Sequence, residues 1–141
     1  MTKVDFYILQ SAQPQDALLY GCRLAEKAHK RGMSIYLHCA DAAQGKAVDD
    51  LLWSFSPESF VPHSLKTADS HASIVVAWDQ EPPAGGDLFI NFAPKIPDFF
   101  SRFARLGEIV CQAPDWLSPS RERYRFYKDR GYPLNTHKIA A

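Results

Sequence analysis

The stretch VDFYILQSAQPQD, residues 4–16, decides the fold. VDFYIL is β-branched and aromatic and reads as a strand. QSAQPQD then leads into a helix: Pro14 suits a first helical turn, and Asp16 complements the positive end of the helix dipole. This junction contains no glycine, so there is no GxGxxG and the backbone cannot approach a pyrophosphate closely there. A strand feeding a helix is the building unit of an α/β sheet, here without a phosphate cradle.

Outward from that unit the pattern repeats. The first helix is expected over 14–31, with Leu18, Cys22, Ala25 and Ala28 as its apolar stripe and Gly32 as its left-handed stop. SIYLHC (34–39) is a second strand. Asp41 caps a helix reaching about Trp53, with Val48, Leu51 and Leu52 apolar. Residues 54–71 form a loop broken by Pro57 and Pro62. SIVVAW (73–78) and LFINF (88–92) read as strands separated by the turn EPPAGGD. IPDFFSRFARL (96–106) is a helix with Phe99, Phe100 and Phe103 inward, and EIVCQ (108–112) a fifth strand. The last helix spans about Pro119 to Arg130, with Ser118 as N-cap and Gly131 as stop. This alternation predicts α/β: a single domain over 1–141, built on a largely parallel open sheet of about five strands with helices on both faces. It is Rossmann-like without a phosphate-binding loop.

Several functions are not expected. No apolar run approaches the ~18 residues of a membrane span, and the opening MTKVDFYILQ is too soon polar for a secretory signal. A cytoplasmic protein is expected. Cys22, Cys39 and Cys111 form no CxxC pair and read as buried free thiols. His29, His38, His63, His71 and His137 lack ligand spacing; His38 and Cys39 point to opposite faces of a strand, so no metal is expected. Gly45-Lys46 is not a P-loop, because Ala47 follows and no glycine lies five residues upstream. Asp49 and Asp50 diverge by about 100° on a helix. No nucleophile motif is present. No catalytic residue, cofactor or small-molecule substrate is expected.

The charge is uneven. Residues 121–141 hold six Lys/Arg and two Asp/Glu, and residues 1–120 hold ten and fourteen, so a +4 region balances a −4 region. At about 100° per residue, Arg121, Arg125 and Lys128 share one stripe of the last helix with Tyr124 beside them. Arg123 and Arg130 lie round the other side, near Phe126 and Tyr127. The cationic stripe suits a carboxylate or phosphate: Arg offers a donor fork and Tyr an apolar wall with a polar tip. Alternatively it is a surface helix whose Arg stems cover the sheet. A second aromatic segment, LLWSFSPESFVPH (51–63), holds Trp53, Phe55, Phe60 and Val61. These residues either plug the core or form a docking patch.

These segments, in this order, resemble the chi subunit of bacterial DNA polymerase III holoenzyme. VDFYIL, LLWSFSPESFVPH and the ending RERYRFYKDRGYPLNTH carry the resemblance, which spans nearly the whole chain. It implies an α/β fold and a non-catalytic adaptor in DNA replication. The implied partners are the psi subunit of the clamp loader and the acidic C-terminal tail of single-stranded DNA-binding protein, with DNA engaged indirectly. That tail ends in Pro-Phe after several aspartates. The family's tail-binding arginine matches Arg121, its companion tyrosine Tyr124, and a nearby basic position Arg125; helical geometry adds Lys128. The family's exposed tryptophan and phenylalanine for psi match Trp53 and Phe60, and we expect Val61 and Pro62 to border that patch. The chain departs at DWLSPS (115–120), where some relatives carry a lysine; that support is lost or comes from Arg125 and Lys128. The rival reading is direct binding of single-stranded nucleic acid by the last helix.

Overall fold

The computed structural model describes residues 1–54, 73–82 and 84–140, together with the backbone of 63–65. In chain order the elements are β1 (Lys3–Ile8), α1 (Pro14–Lys30), β2 (Ile35–His38), α2 (Ala42–Ser54), β3 (His63–Leu65), β4 (Ile74–Ala77), β5 (Leu88–Asn91), a 3-10 helix (Asp98–Arg102), β6 (Arg105–Val110), α3 (Pro114–Asp129) and β7 (Leu134–Lys138). The seven strands form one sheet in the order β3-β4-β2-β5-β6-β1-β7. Every ladder is parallel. Helices cover both faces, as expected of a parallel sheet.

Local chemistry explains the helix ends. Pro14 opens α1. At its end Gly32 adopts φ +79, its N–H bonds to the His29 carbonyl, and the Met33 N–H bonds to the Ala28 carbonyl. That paired closure needs a left-handed residue, which glycine supplies without strain. Gly131 repeats it after α3, at φ +78. Asp41 caps α2: its Oδ1 accepts the Gln44 N–H at 2.8 Å, and Gln44 Oε1 accepts the Ala40 N–H at 2.7 Å.

The core has two parts, one on each face. Leu18, Cys22 and Ala25 of α1 and Val48 and Leu52 of α2 pack with Leu37, Ile90 and Ile109. On the other face Phe6, Phe89, Phe100, Leu106 and Tyr127 pack together. Cys22, Cys39 and Cys111 are buried and unbridged. Gly21 and Gly45 let the helices approach the sheet: a Cβ on Gly21 would enter the Phe92 ring, and one on Gly45 the Trp78 ring. Gly45 therefore serves packing.

The structure corrects the sequence reading at five points. Among the described residues the sheet has seven strands rather than about five. β3 is a three-residue edge strand within the stretch read as a loop, most of which lies outside the described residues. β7 is a mostly exposed edge strand, LNTHK, held by its ladder with β1 rather than by an apolar pattern. The Phe-rich helix is only a 3-10 turn, because β6 already begins at Arg105. The last helix begins at Pro114, not Pro119, so Ser118 is no cap and Pro119 lies inside the helix. No described helix is long and apolar enough to cross a membrane.

Candidate docking surface on the last helix

α3 is fixed in rotation by buried polar contacts. Trp116 Nε1 donates to the Ile109 carbonyl at 2.8 Å, tying the first turn to β6. Two turns on, Arg123 is 6% exposed and Glu108 fully buried. Arg123 Nε donates to Glu108 Oε2 at 2.9 Å, Nη1 to the Pro94 carbonyl at 2.7 Å and Nη2 to Ser120 Oγ at 3.2 Å. The Tyr127 hydroxyl donates to the same Glu108 oxygen at 2.7 Å, and Asn91 Nδ2 donates to the other at 3.0 Å. Burial, and then the charge of Glu108, push the Tyr127 hydroxyl far up, so it stays a neutral donor. A buried carboxylate satisfied on both oxygens is tolerable; an unpaired one is not.

With that face locked inward, the others are set. Arg121, Arg125 and Lys128 are exposed. No carboxylate among the described residues pairs with them. Their neighbours on the helix are committed: Arg123 to Glu108, and Arg130 over the Phe126 ring at 4.6 Å. Tyr124 is half-buried and meets Phe6 edge-on, with centroids 5.2 Å apart. Leu117, one helix stripe with Tyr124, packs into the same cluster and is also half-buried. Leu117 and Tyr124 thus form an apolar shelf alongside Arg121. Leu117 was missed because the expected helix began too late to include it. Arg123 was placed on the correct side, but its pairing needed Glu108, the one acid in the apolar strand of β6, to be read as its partner.

The second surface is only partly described. Trp53 lies in the last turn of α2 and is 55% exposed. Phe60, Val61 and Pro62 lie outside the described residues. α2 packs against β3 and β4, whereas α3 packs against β6. Trp53 and the α3 cations therefore sit on opposite faces and opposite halves of the sheet.

The strand ends where such a sheet would hold a nucleotide are otherwise occupied. After β1, Ser11 Oγ donates to Asp16 at 2.6 Å and accepts the Gln13 N–H at 3.0 Å. At the start of α2, the Asp41 carboxylate takes the helix-end N–H that a phosphate would use. An open cleft beside it is lined by His38, Trp78, Asp79 and Lys95. Burial lowers the His38 pKa to about 4, so this ring is neutral near pH 7. Among the described residues, no group of three or more His, Cys, Asp or Glu could hold a metal ion.

Fold and surface together define a class: a Rossmann-like parallel α/β protein without a phosphate loop, presenting on its last helix a row of cations that no carboxylate among the described residues pairs. Residues 1–135 match the family model described as DNA polymerase III chi subunit, HolC. The chain belongs to that family. It is 44% identical over 139 residues to the DNA polymerase III subunit chi of Pseudomonas aeruginosa, covering 99% of this chain and 98% of that one. It is 29% identical to the same-named subunit of Escherichia coli K12, with 96% and 97% covered, and 28% identical to that of Haemophilus influenzae, with 96% of each covered. Among solved structures, T4 UvsW superposes with a TM-score of 0.70 at 10% identity, over 98% of this chain and 41% of that chain. At that identity the likeness is one of fold alone.

Proposed function

We propose that this chain is a non-catalytic adaptor of the replicative DNA polymerase clamp-loader complex, acting in the cytoplasm at the replisome. Through α3 it binds the acidic C-terminal tail of single-stranded DNA-binding protein. Through Trp53, with Phe60, Val61 and Pro62, it binds the psi subunit; through these two partners its contact with DNA is indirect. The observation that carries the tail reading is the unpaired row Arg121, Arg125 and Lys128 beside the Leu117–Tyr124 shelf. Arg121 takes the terminal carboxylate with its donor fork. The terminal Phe ring lies on the shelf. Arg125 and Lys128 meet the preceding aspartates across solvent, where salt screens them. The names of the relatives, each a DNA polymerase III subunit chi, support a place in that assembly.

A charge-assisted hydrogen bond contributes roughly 1.5–3 kcal/mol and a buried Phe ring about the same. After the cost of ordering a flexible tail, a net of roughly 7–8 kcal/mol corresponds to micromolar binding. The psi contact, resting on aromatics, should be tighter and less sensitive to salt. The test is fluorescence anisotropy of a labelled tail peptide with wild-type protein and Arg121→Ala. Micromolar binding that weakens at least about tenfold in the variant supports the reading. No binding, or equal binding by both, removes α3 as the tail site.

A further inference from the structure

A second cationic site lies on the sheet face opposite α3. It is an open cleft of about 390 Å³ below the C-terminal half of α1, over Asp5 and Tyr7 of β1 and the first residues of β5 and β6. Arg23, Lys27 and Arg31 line one wall. Spaced four residues apart, they make a single stripe about 12 Å long. Arg105, at the start of β6, faces them, and Tyr7 and Tyr20 complete the lining. Asp5 is the only carboxylate among the described lining residues, whose net charge is four minus one, or +3. Its oxygens are engaged by Arg105 at 3.3 Å and His137 at 3.0 Å. No acid among the described residues pairs with Arg23, Lys27 or Arg31, and all three are exposed.

Helix physics explains part of this charge. Cations near a helix C-terminus complement the dipole, which accounts for Arg31 and Lys27. It does not account for Arg23, two turns back, or for Arg105 on the sheet. The tyrosines add a second kind of contact. Tyr7 is covered on one side by the His137 ring, stacked at 5.0 Å, while Tyr20 stands beside it, half-exposed. Burial first, and the nearby Asp5 carboxylate second, push the Tyr7 hydroxyl up to about 12, so it is a neutral donor at physiological pH.

A linear cation row beside an aromatic wall is the arrangement that tracks a phosphodiester backbone while offering a ring to a base. We propose that this cleft binds single-stranded nucleic acid, with Arg23, Lys27 and Arg31 on successive phosphates, Arg105 closing from the sheet side and a base against Tyr20. An acidic peptide fits less well, because its carboxylates leave an extended backbone on alternating sides while these cations stand on one stripe. The sheet separates this cleft from α3, so both sites can be filled at once. A strand bound here would be held directly by a protein whose other contact with the template is through a coating protein.

The test is anisotropy of a labelled oligothymidylate of about twelve nucleotides with the full chain, in about 50 mM salt and above. Binding should fall with salt at about −0.7 log units per log unit of salt for each phosphate neutralised, a slope near −2 for three contacts. The pair Arg23→Glu with Lys27→Glu should cost at least about tenfold, and Tyr20→Leu about fivefold or more, with melting temperatures unchanged. Arg121→Ala with Arg125→Ala should leave oligonucleotide binding intact. The proposal is overturned if wild type binds no oligonucleotide at low salt. It is also overturned if the α3 variant, rather than the α1 variant, abolishes binding, or if a polyaspartate peptide of equal charge competes as well as the oligonucleotide.

Discussion

Replacing Arg123 tests whether the last helix is held by its buried charge or by its apolar face. In Arg123→Met the stem volume remains but three donors go: those to Glu108 at 2.9 Å, to the Pro94 carbonyl at 2.7 Å and to Ser120 at 3.2 Å. Glu108, fully buried, keeps only Tyr127 and Asn91 as donors. Removing one partner of a buried pair typically costs about 3–5 kcal/mol, because the other charge is stranded. Against a total stability of about 5–15 kcal/mol, that is a large fraction. For a domain of this size it corresponds to a loss of roughly 10–15 °C in melting temperature. Urea unfolding followed by circular dichroism would measure it. The double variant Glu108→Gln with Arg123→Met removes the stranded charge and should recover most of the loss, giving a coupling of at least about 1 kcal/mol. A loss below about 1 kcal/mol in the single variant, or strict additivity in the double, would refute the reasoning.

Other outcomes are expected. Arg121→Ala, at an exposed position, should shift the melting temperature by no more than about 2 °C, so its binding defect separates from the stability defect at Arg123. Gly21→Ala should destabilise by about 1–3 kcal/mol in urea titration, because the added methyl enters the Phe92 ring and forces α1 off the sheet. His38 has its pKa lowered from 6.5 to about 4, chiefly by burial. The unfolded chain therefore binds more protons across that window, so stability falls as pH drops from 6.5 towards 4, and His38→Phe should flatten that slope in urea titrations at stepped pH. Cys22 and Cys39, pushed up to about 12 mainly by burial, should react with a thiol reagent only on unfolding; labelling of either within seconds in native buffer would contradict their packing.

The sequence carried the parts of the fold that local chemistry decides. Pro14, Asp16 and Gly32 bracket α1 because capping and dipole preferences act within one turn. The strands of the sheet interior were legible because both faces are covered and each carries an apolar run, such as IVVA in β4 and LFI in β5. β7 was not, because LNTHK carries no apolar run and exists as a strand only through its ladder with β1, over a hundred residues away in sequence. The start of α3 was placed five residues too late, at Pro119. Pro114 takes the first helical turn, and the interior Pro119 withholds its N–H early, where water can reach the freed carbonyl. For the site, the stripe Arg121, Arg125 and Lys128 followed from helical period alone. Which arginine turns inward did not, since that depends on Glu108, fifteen residues earlier on a neighbouring strand.

A sheet of this topology places its adaptable chemistry at the strand ends, yet here the helix starts after β1 and β2 are taken by side chains of the protein itself. Ser11 with Asp16, and Asp41 with Gln44, satisfy the helix starts that a phosphate would otherwise engage. The surfaces proposed for the two partners are helix faces instead. The Glu108–Arg123–Tyr127 network fixes the rotation of α3, so the helix needs no rearrangement on binding and only the exposed cation side chains are left to order. Trp53 lies on the other face and the other half of the sheet. Ligands at the two surfaces therefore need not touch. A weak contact at α3 joined to a firmer one at α2 converts the second encounter into an intramolecular one, at millimolar effective concentration for short connections. For the proposed adaptor, micromolar affinity at α3 is then sufficient: the linkage supplies the residence time, and the weak contact lets the tail be exchanged as the template moves.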